Sequence, residues 1–321
     1  MESFAMGCFV VLISMVVSGA IFSGFPLFSE ESYLYVSSYE NDCIVRYDAV
    51  TGEYIGVFAS GGALDGPRGL VFGPDGNLYV ASALTNSVKR YCGVTGKFID
   101  TFVAGGNLRG PGSLAFGPDG NLYVSSSLTD SIKRYDGSTG YYIDDFASGP
   151  ELDAPGKIAF SADNTLYAAS LYGRKILRYN GLTGKYIDTF ISLRYDEIPL
   201  SFAFGPDGNV YVSIYGTNDH IKCYDGTTGE FSSTILSNVA ASIYGDIAFG
   251  EGTVLFVSRE GRNSVVRVNS AMGGIIGTLP QNKDLNTPVG LAIHPAFVAP
   301  PSVLIGLEDE VNFKVPQSEK N

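Results

Sequence analysis

The feature that most constrains this chain is a repeat. The string GPDGNLYV stands at 73–80 and again, unchanged, at 117–124, with variants GPDGNVYV at 205–212, SADNTLYA at 161–168 and EGTVLFV at 251–257. Anchored on the aromatic of the LYV element, the series runs Tyr35, Tyr79, Tyr123, Tyr167, Tyr211, Phe256, at spacings of 44, 44, 44, 44 and 45 residues. A register held over five intervals means that one structural unit is reused along the chain, each copy stacking on its neighbours because none can bury its apolar faces alone.

Each unit holds four strand-like pieces. In the second they read Gly69–Phe72, Leu78–Ser82, Ser87–Tyr91 and Lys97–Phe102. Pro74 presets φ and Asp75-Gly76 supplies the residues a tight hairpin needs, and Thr95-Gly96 serves the next turn. Four short antiparallel strands in a unit of this length form a propeller blade. The 40 Gly, 20 Tyr and 20 Phe suit many short strands joined by tight turns.

The LYV strand occurs six times, and so does an inner strand: GLVF at 69–72, SLAF at 113–116, KIAF at 157–160, SFAF at 201–204, DIAF at 246–249 and GLAI at 290–293. The two sets are offset. The chain opens on an LYV strand with no inner strand before it and ends its repeats on an inner strand with no LYV after it. Joining 290–293 to 34–58 completes a sixth blade and removes an open sheet edge. The expected fold is all-β, a six-bladed β-propeller with four antiparallel strands per blade over residues 31–295. Its ring is closed by a C-terminal strand that completes the N-terminal blade.

The PDGNLYV element followed by VKRY (Val88–Tyr91) resembles the NHL repeat, and is similar to the repeats of streptogramin-lyase-like and gluconolactonase-like propellers. The resemblance covers about residues 31–295. It implies the propeller architecture. It admits two kinds of function, a ligand- or protein-binding module and a small-molecule lactonase or lyase. The chain has no Trp, which separates it from WD-repeat propellers.

Two segments lie outside the repeat. From Ser3 to Ser29 there is no charged residue, and Ser18-Gly19-Ala20 offers the small residues a signal peptidase reads. Residues 1–20 read as a secretory signal, with a mature chain beginning near Ile21 outside the cytoplasm, secreted or periplasmic. The alternatives are an uncleaved signal anchor over 1–29, which would tie the protein to a membrane, and a cytosolic apolar segment. Residues 296–321 read as a C-terminal tail, either loosely packed or a peptide for a partner. Cys43, Cys92 and Cys223 show no metal spacing and read as strand residues, or as one disulfide and one free thiol. The net charge of −12 argues against a nucleic-acid partner, since neutralising phosphates needs clustered Lys and Arg.

The repeat supplies an internal reference for function. In an up-and-down blade, the GPDGN and Thr-Gly turns share one face. The inter-blade connections and the turns after LYV share the other, and these differ from blade to blade. The first residues of the inner strands, near the central channel, are Gly69, Ser113, Lys157, Ser201, Asp246 and Gly290. Lys157 and Asp246 break the series, and Arg68 precedes Gly69. With Tyr39, Tyr172, Tyr215 and Arg259 from the turns after LYV, they are the candidate ligand-binding residues at the channel mouth. Arg68 and Lys157 would favour a carboxylate, phosphate or sulfate. The partner expected there is a small anionic ligand or a protein.

No catalytic signature is complete. The lactonase-like propellers hold one divalent cation, Ca or Mg, with several oxygen ligands. Among the six strand starts only Asp246 suits that role, and Arg68 and Lys157 would repel a cation, so the expectation is no cofactor. The lyase-like enzymes rely on His and Glu at the channel. Here the two histidines, His220 and His294, fall just before a third strand and at the end of the closing strand.

Overall fold

The computed structural model describes residues 32–217, 220–237 and 245–294. They form six sheets of four antiparallel strands, arranged as the blades of a propeller. Blades are numbered here along the chain. Blade 1 is composite: the strand Pro288–His294 is its inner strand, followed by Tyr33–Ser38, Cys43–Asp48 and Tyr54–Ser60. The closing strand runs antiparallel to Tyr33–Ser38, pairing Leu34 with Ile293 and Tyr35 with Ala292. The six blades and the closure are those expected from the repeat. The segments read as signal or anchor and as C-terminal tail lie outside the described residues. No described helix is long and apolar enough to cross a membrane.

The LYV aromatics explain why the period is so strict. Tyr35, Tyr79, Tyr123, Tyr167, Tyr211 and Phe256 are all buried. Tyr79 lies edge-on to Phe102 of its own outer strand at 4.9 Å and to Phe116 of the next blade's inner strand at 5.0 Å. Tyr35 does the same with Phe58 and Phe72, and Tyr123 with Phe146 and Phe160. Each ring thus joins its blade to the next in the T-shaped geometry that the aromatic quadrupole favours, about 0.5–1.5 kcal/mol per pair beyond area burial. The Tyr79 hydroxyl donates to Asp75 of the hairpin turn at 2.9 Å, and Tyr123 to Asp119 likewise at 3.0 Å. A slip of one residue would turn these rings to the other sheet face.

Two local readings need correction. The inner strands of blades 2 to 4 begin at Pro67, Pro111 and Pro155, two residues before the expected starts. A register shift between Pro67 and Leu70 explains this: the extra residue is a β-bulge, a position where proline is tolerated. Cys92 lies just past the strand Ser87–Tyr91, whereas Cys43 and Cys223 lie within strands. All three are buried, and none is in a disulfide among the described residues.

Candidate functional site

The bulged inner strands surround the channel, and their side chains set its width. At Gly290 a Cβ would stand 2.1 Å from the Arg68 carbonyl, and at Gly69 one would stand 2.7 Å from the Gly112 carbonyl. Glycine is therefore required where blades 1, 2 and 3 meet backbone to backbone. Blades 4 and 6 carry Lys157 and Asp246 at the equivalent positions, and a cavity of about 270 Å³ lined by residues of all six blades opens at the channel.

Arg68, Lys157 and Asp246 all line this one cavity, with Ser113, Ser201 and Glu260. Lys157 of blade 4 reaches past blade 5 to Asp246 of blade 6, its Nζ 2.9 Å from both carboxylate oxygens. The Asp246 carboxylate also accepts from the Ser201 hydroxyl at 2.6 Å, the Leu291 N–H at 3.1 Å and its neighbour's Ile247 N–H at 3.0 Å. Both oxygens of the one carboxylate that suited a cation are thus engaged by protein donors. No group of three or more His, Cys, Asp or Glu side chains placed to hold a metal ion occurs among the described residues.

Arg68 is exposed and bonds differently. Its guanidinium lies over the Tyr39 ring, 5.4 Å from the centroid, which places Tyr39 beside the mouth. The other three candidates do not line the cavity. Tyr172 is 62% exposed, and Tyr215 is near the end of the strand Val210–Gly216. Arg259 ends the strand Val254–Arg259 with its Nε buried and without a hydrogen-bond partner among the described residues. Neither histidine reaches the channel: His294 stacks on Phe72 at 4.1 Å, and His220 lies 3.3 Å from buried Glu197 in a groove of blade 5.

Glu260, beside Arg259 on the turn after LYV, does line the cavity. It opens a short 3-10 turn, four residues after the aromatic anchor of its blade. The residues at that position are Tyr39, Ala83, Ser127, Leu171, Tyr215 and Glu260, so the internal comparison that singled out Lys157 contained this signal too. Burial raises the Glu260 pKa, and the nearby charge of Arg68 opposes the rise. A raised folded-state pKa favours folding below the unfolded value and loses that benefit as pH rises through the folded value. Glu260→Gln is therefore expected to melt above the wild type at pH 7, with the difference closing as pH falls below the ordinary glutamate range. Melting curves across pH 3–8 check this, and a gap that widens toward acid would refute it.

Neither a protein-family model nor a curated protein matches the chain. Solved structures do. A chain in the crystal structure of a nidogen/laminin complex aligns with a TM-score of 0.62 at 16% identity, over 82% of this chain and 98% of that one. A protein of unknown function from Bacteroides caccae aligns at 0.60 and 13%, over 82% and 99%. A catalytically inactive virginiamycin B lyase from Staphylococcus aureus, solved with quinupristin, aligns at 0.59 and 17%, over 83% and 90%. The chain shares the propeller fold with them. One of these neighbours is part of a protein complex and another is a lyase, so the fold alone does not select a function.

Proposed function

We propose that this propeller is a secreted or surface-exposed binding module whose channel mouth takes a small anionic group, either a free ligand or one side chain of a protein partner. The observation that supports this most directly is the convergence of Arg68, Lys157, Asp246 and Glu260, which break the repeat, on one cavity. Framework demands do not account for them, because the equivalent positions elsewhere carry Gly, Ser and other uncharged residues. A cavity of about 270 Å³ lies just under the range typical for drug-sized ligands, roughly 300–1,000 Å³, which suits a small occupant. Arg68 presents a guanidinium whose fork fits carboxylate or phosphate oxygens, and Lys157 adds a second cation already oriented by Asp246. The uncharged stretch from Ser3 to Ser29 supports placement outside the cytoplasm.

A thermal-shift screen of small carboxylates, phosphates and sulfates, with and without divalent cations, tests the reading. The expected result is a cation-independent stabilising hit that disappears in Arg68→Met and Lys157→Met, while circular dichroism shows both variants still folded. A hit that survives both substitutions places the site elsewhere. One that requires the divalent cation favours the lactonase-type alternative.

A further inference from the structure

A second departure from the repeat lies on the outer rim. In five blades the third strand carries an arginine at one fixed position: Arg46, Arg90, Arg134, Arg178 and Arg267. Opposite them on the outer strands stand Gly56, Asp100, Asp144, Asp188 and Gly277. Where the facing residue is Asp, the pair is bidentate. Arg90 reaches Asp100 at 3.1 and 2.5 Å, Arg134 reaches Asp144 at 3.1 and 2.5 Å, and Arg178 reaches Asp188 at 2.8 and 2.6 Å. Three blades of this protein therefore record what the position holds: a planar carboxylate, gripped by Nε and Nη2.

The two glycine blades differ from each other. Arg267 has folded over Gly277, where a Cβ would meet its Nη2 at 3.0 Å, and it donates to the Val50 carbonyl at 3.2 Å. Arg46 has not moved in this way. Its guanidinium lies 5.2 Å from the Phe58 centroid, as Arg134 lies 5.2 Å from Phe146, and the Tyr33 ring holds it from another side at 4.7 Å. Nothing stands within 4 Å of where a Gly56 Cβ would be. The Arg46 Nε is buried with no hydrogen-bond partner among the described residues. A cavity of about 150 Å³ fills the place of the missing aspartate, bounded by Arg46, Gly56, Phe58, Val94 and Thr95. Half of a bidentate pair is thus held ready, with its donor desolvated and its acceptor absent, and an unsatisfied buried donor of that kind gains from any acceptor that reaches it.

We propose that Arg46 and Gly56 form a carboxylate-binding site on the rim of blade 1, filled by a carboxylate from another molecule in the geometry of the Arg90–Asp100 pair. The carboxylate comes either from a small organic acid or from an acidic side chain of a second protein. The site lies at the Thr-Gly turn end of the blades, opposite the channel mouth, and does not depend on the function proposed for that mouth.

The Nε–Hε resonances of the folded protein, followed by ¹⁵N NMR, test the site. The probes are sodium acetate and the blocked tripeptide acetyl-Ala-Asp-Ala-amide, with sodium chloride as the ionic-strength control. The Arg46 resonance is expected to move toward those of Arg90, Arg134 and Arg178 and to saturate, while those three stay still. Saturation by acetate at the lower concentration identifies a free small acid. A tripeptide that saturates at least tenfold lower than acetate identifies a protein side chain. Asp100→Gly should give Arg90 the same response, as a control for the readout. If Arg90 responds in that variant and wild-type Arg46 responds to neither probe, the proposal is overturned. It is equally overturned if Arg46 already resonates with its sisters in the unliganded protein, since the chain then fills the site itself.

Discussion

A chain stopped after Thr287 is expected to lose its cooperative thermal transition, whereas one stopped after Pro295 retains it. The comparison isolates the closing strand from everything C-terminal to it. Leu291 is 2% exposed and packs with Leu34, Val36 and Val45 of blade 1 and with Phe256 of blade 6. Burying it contributes roughly 1.5–3 kcal/mol, and the partly buried Ile293 adds a smaller share. The same deletion removes the Leu291 N–H from Asp246 and the Gly290 N–H from the Ser37 hydroxyl, and it leaves Tyr33–Ser38 as an open edge. Against a total stability of about 5–15 kcal/mol for a folded domain, these losses together are decisive. Two chains melting within a degree of each other would show that the ring does not depend on this strand.

The second large effect is expected at Asp246. Replacing it with alanine strands Lys157, the Ser201 hydroxyl and two backbone N–H groups at once. Removing one partner of a buried ion pair costs about 3–5 kcal/mol, because the other charge stays desolvated. The Lys157 side chain keeps 22% of its exposure against 8% for Asp246, so a cost near the lower end, about 3 kcal/mol, is expected in urea unfolding. Lys157→Met in the same chain should recover part of that loss, since the stranded cation is then gone. If the two substitutions are simply additive, the pair is not coupled, and the contact at 2.9 Å contributes nothing specific.

Both experiments turn on features that differ in how readable they are. Blade count and closure follow from the 44-residue register and the offset between the two strand sets. Both are local patterns, and the Tyr-to-Phe contacts between blades make them strict. Arg68, Lys157 and Asp246 could be found because a repeat exposes its exceptions. Their pairing could not, since Lys157 and Asp246 are 89 residues apart and the contact skips a blade. Nothing in the spacing says which strand starts face across a channel. The outlying Tyr172, Tyr215 and Arg259 failed to reach the cavity for a related reason. A turn after the second strand projects along the rim as readily as over the mouth: Glu260 lines the cavity, and its neighbour Arg259 does not. Glu260 was legible by the same comparison as Lys157, one turn further along the chain.

The composite blade also fixes the order in which the molecule can be finished. Ser37 and Gly290 exchange hydrogen bonds across 253 residues of sequence. As the chain emerges from the ribosome, Tyr33–Ser38 is made early, yet its inner partner is almost the last part of the ring to appear. The first sheet must wait with one side unpaired while five other blades form behind it. Bringing such distant segments together sacrifices loop entropy before any contact compensates for it, which makes ring closure a natural slow step. The seam that makes the finished ring edge-free is also the place where the growing chain stays sticky for longest.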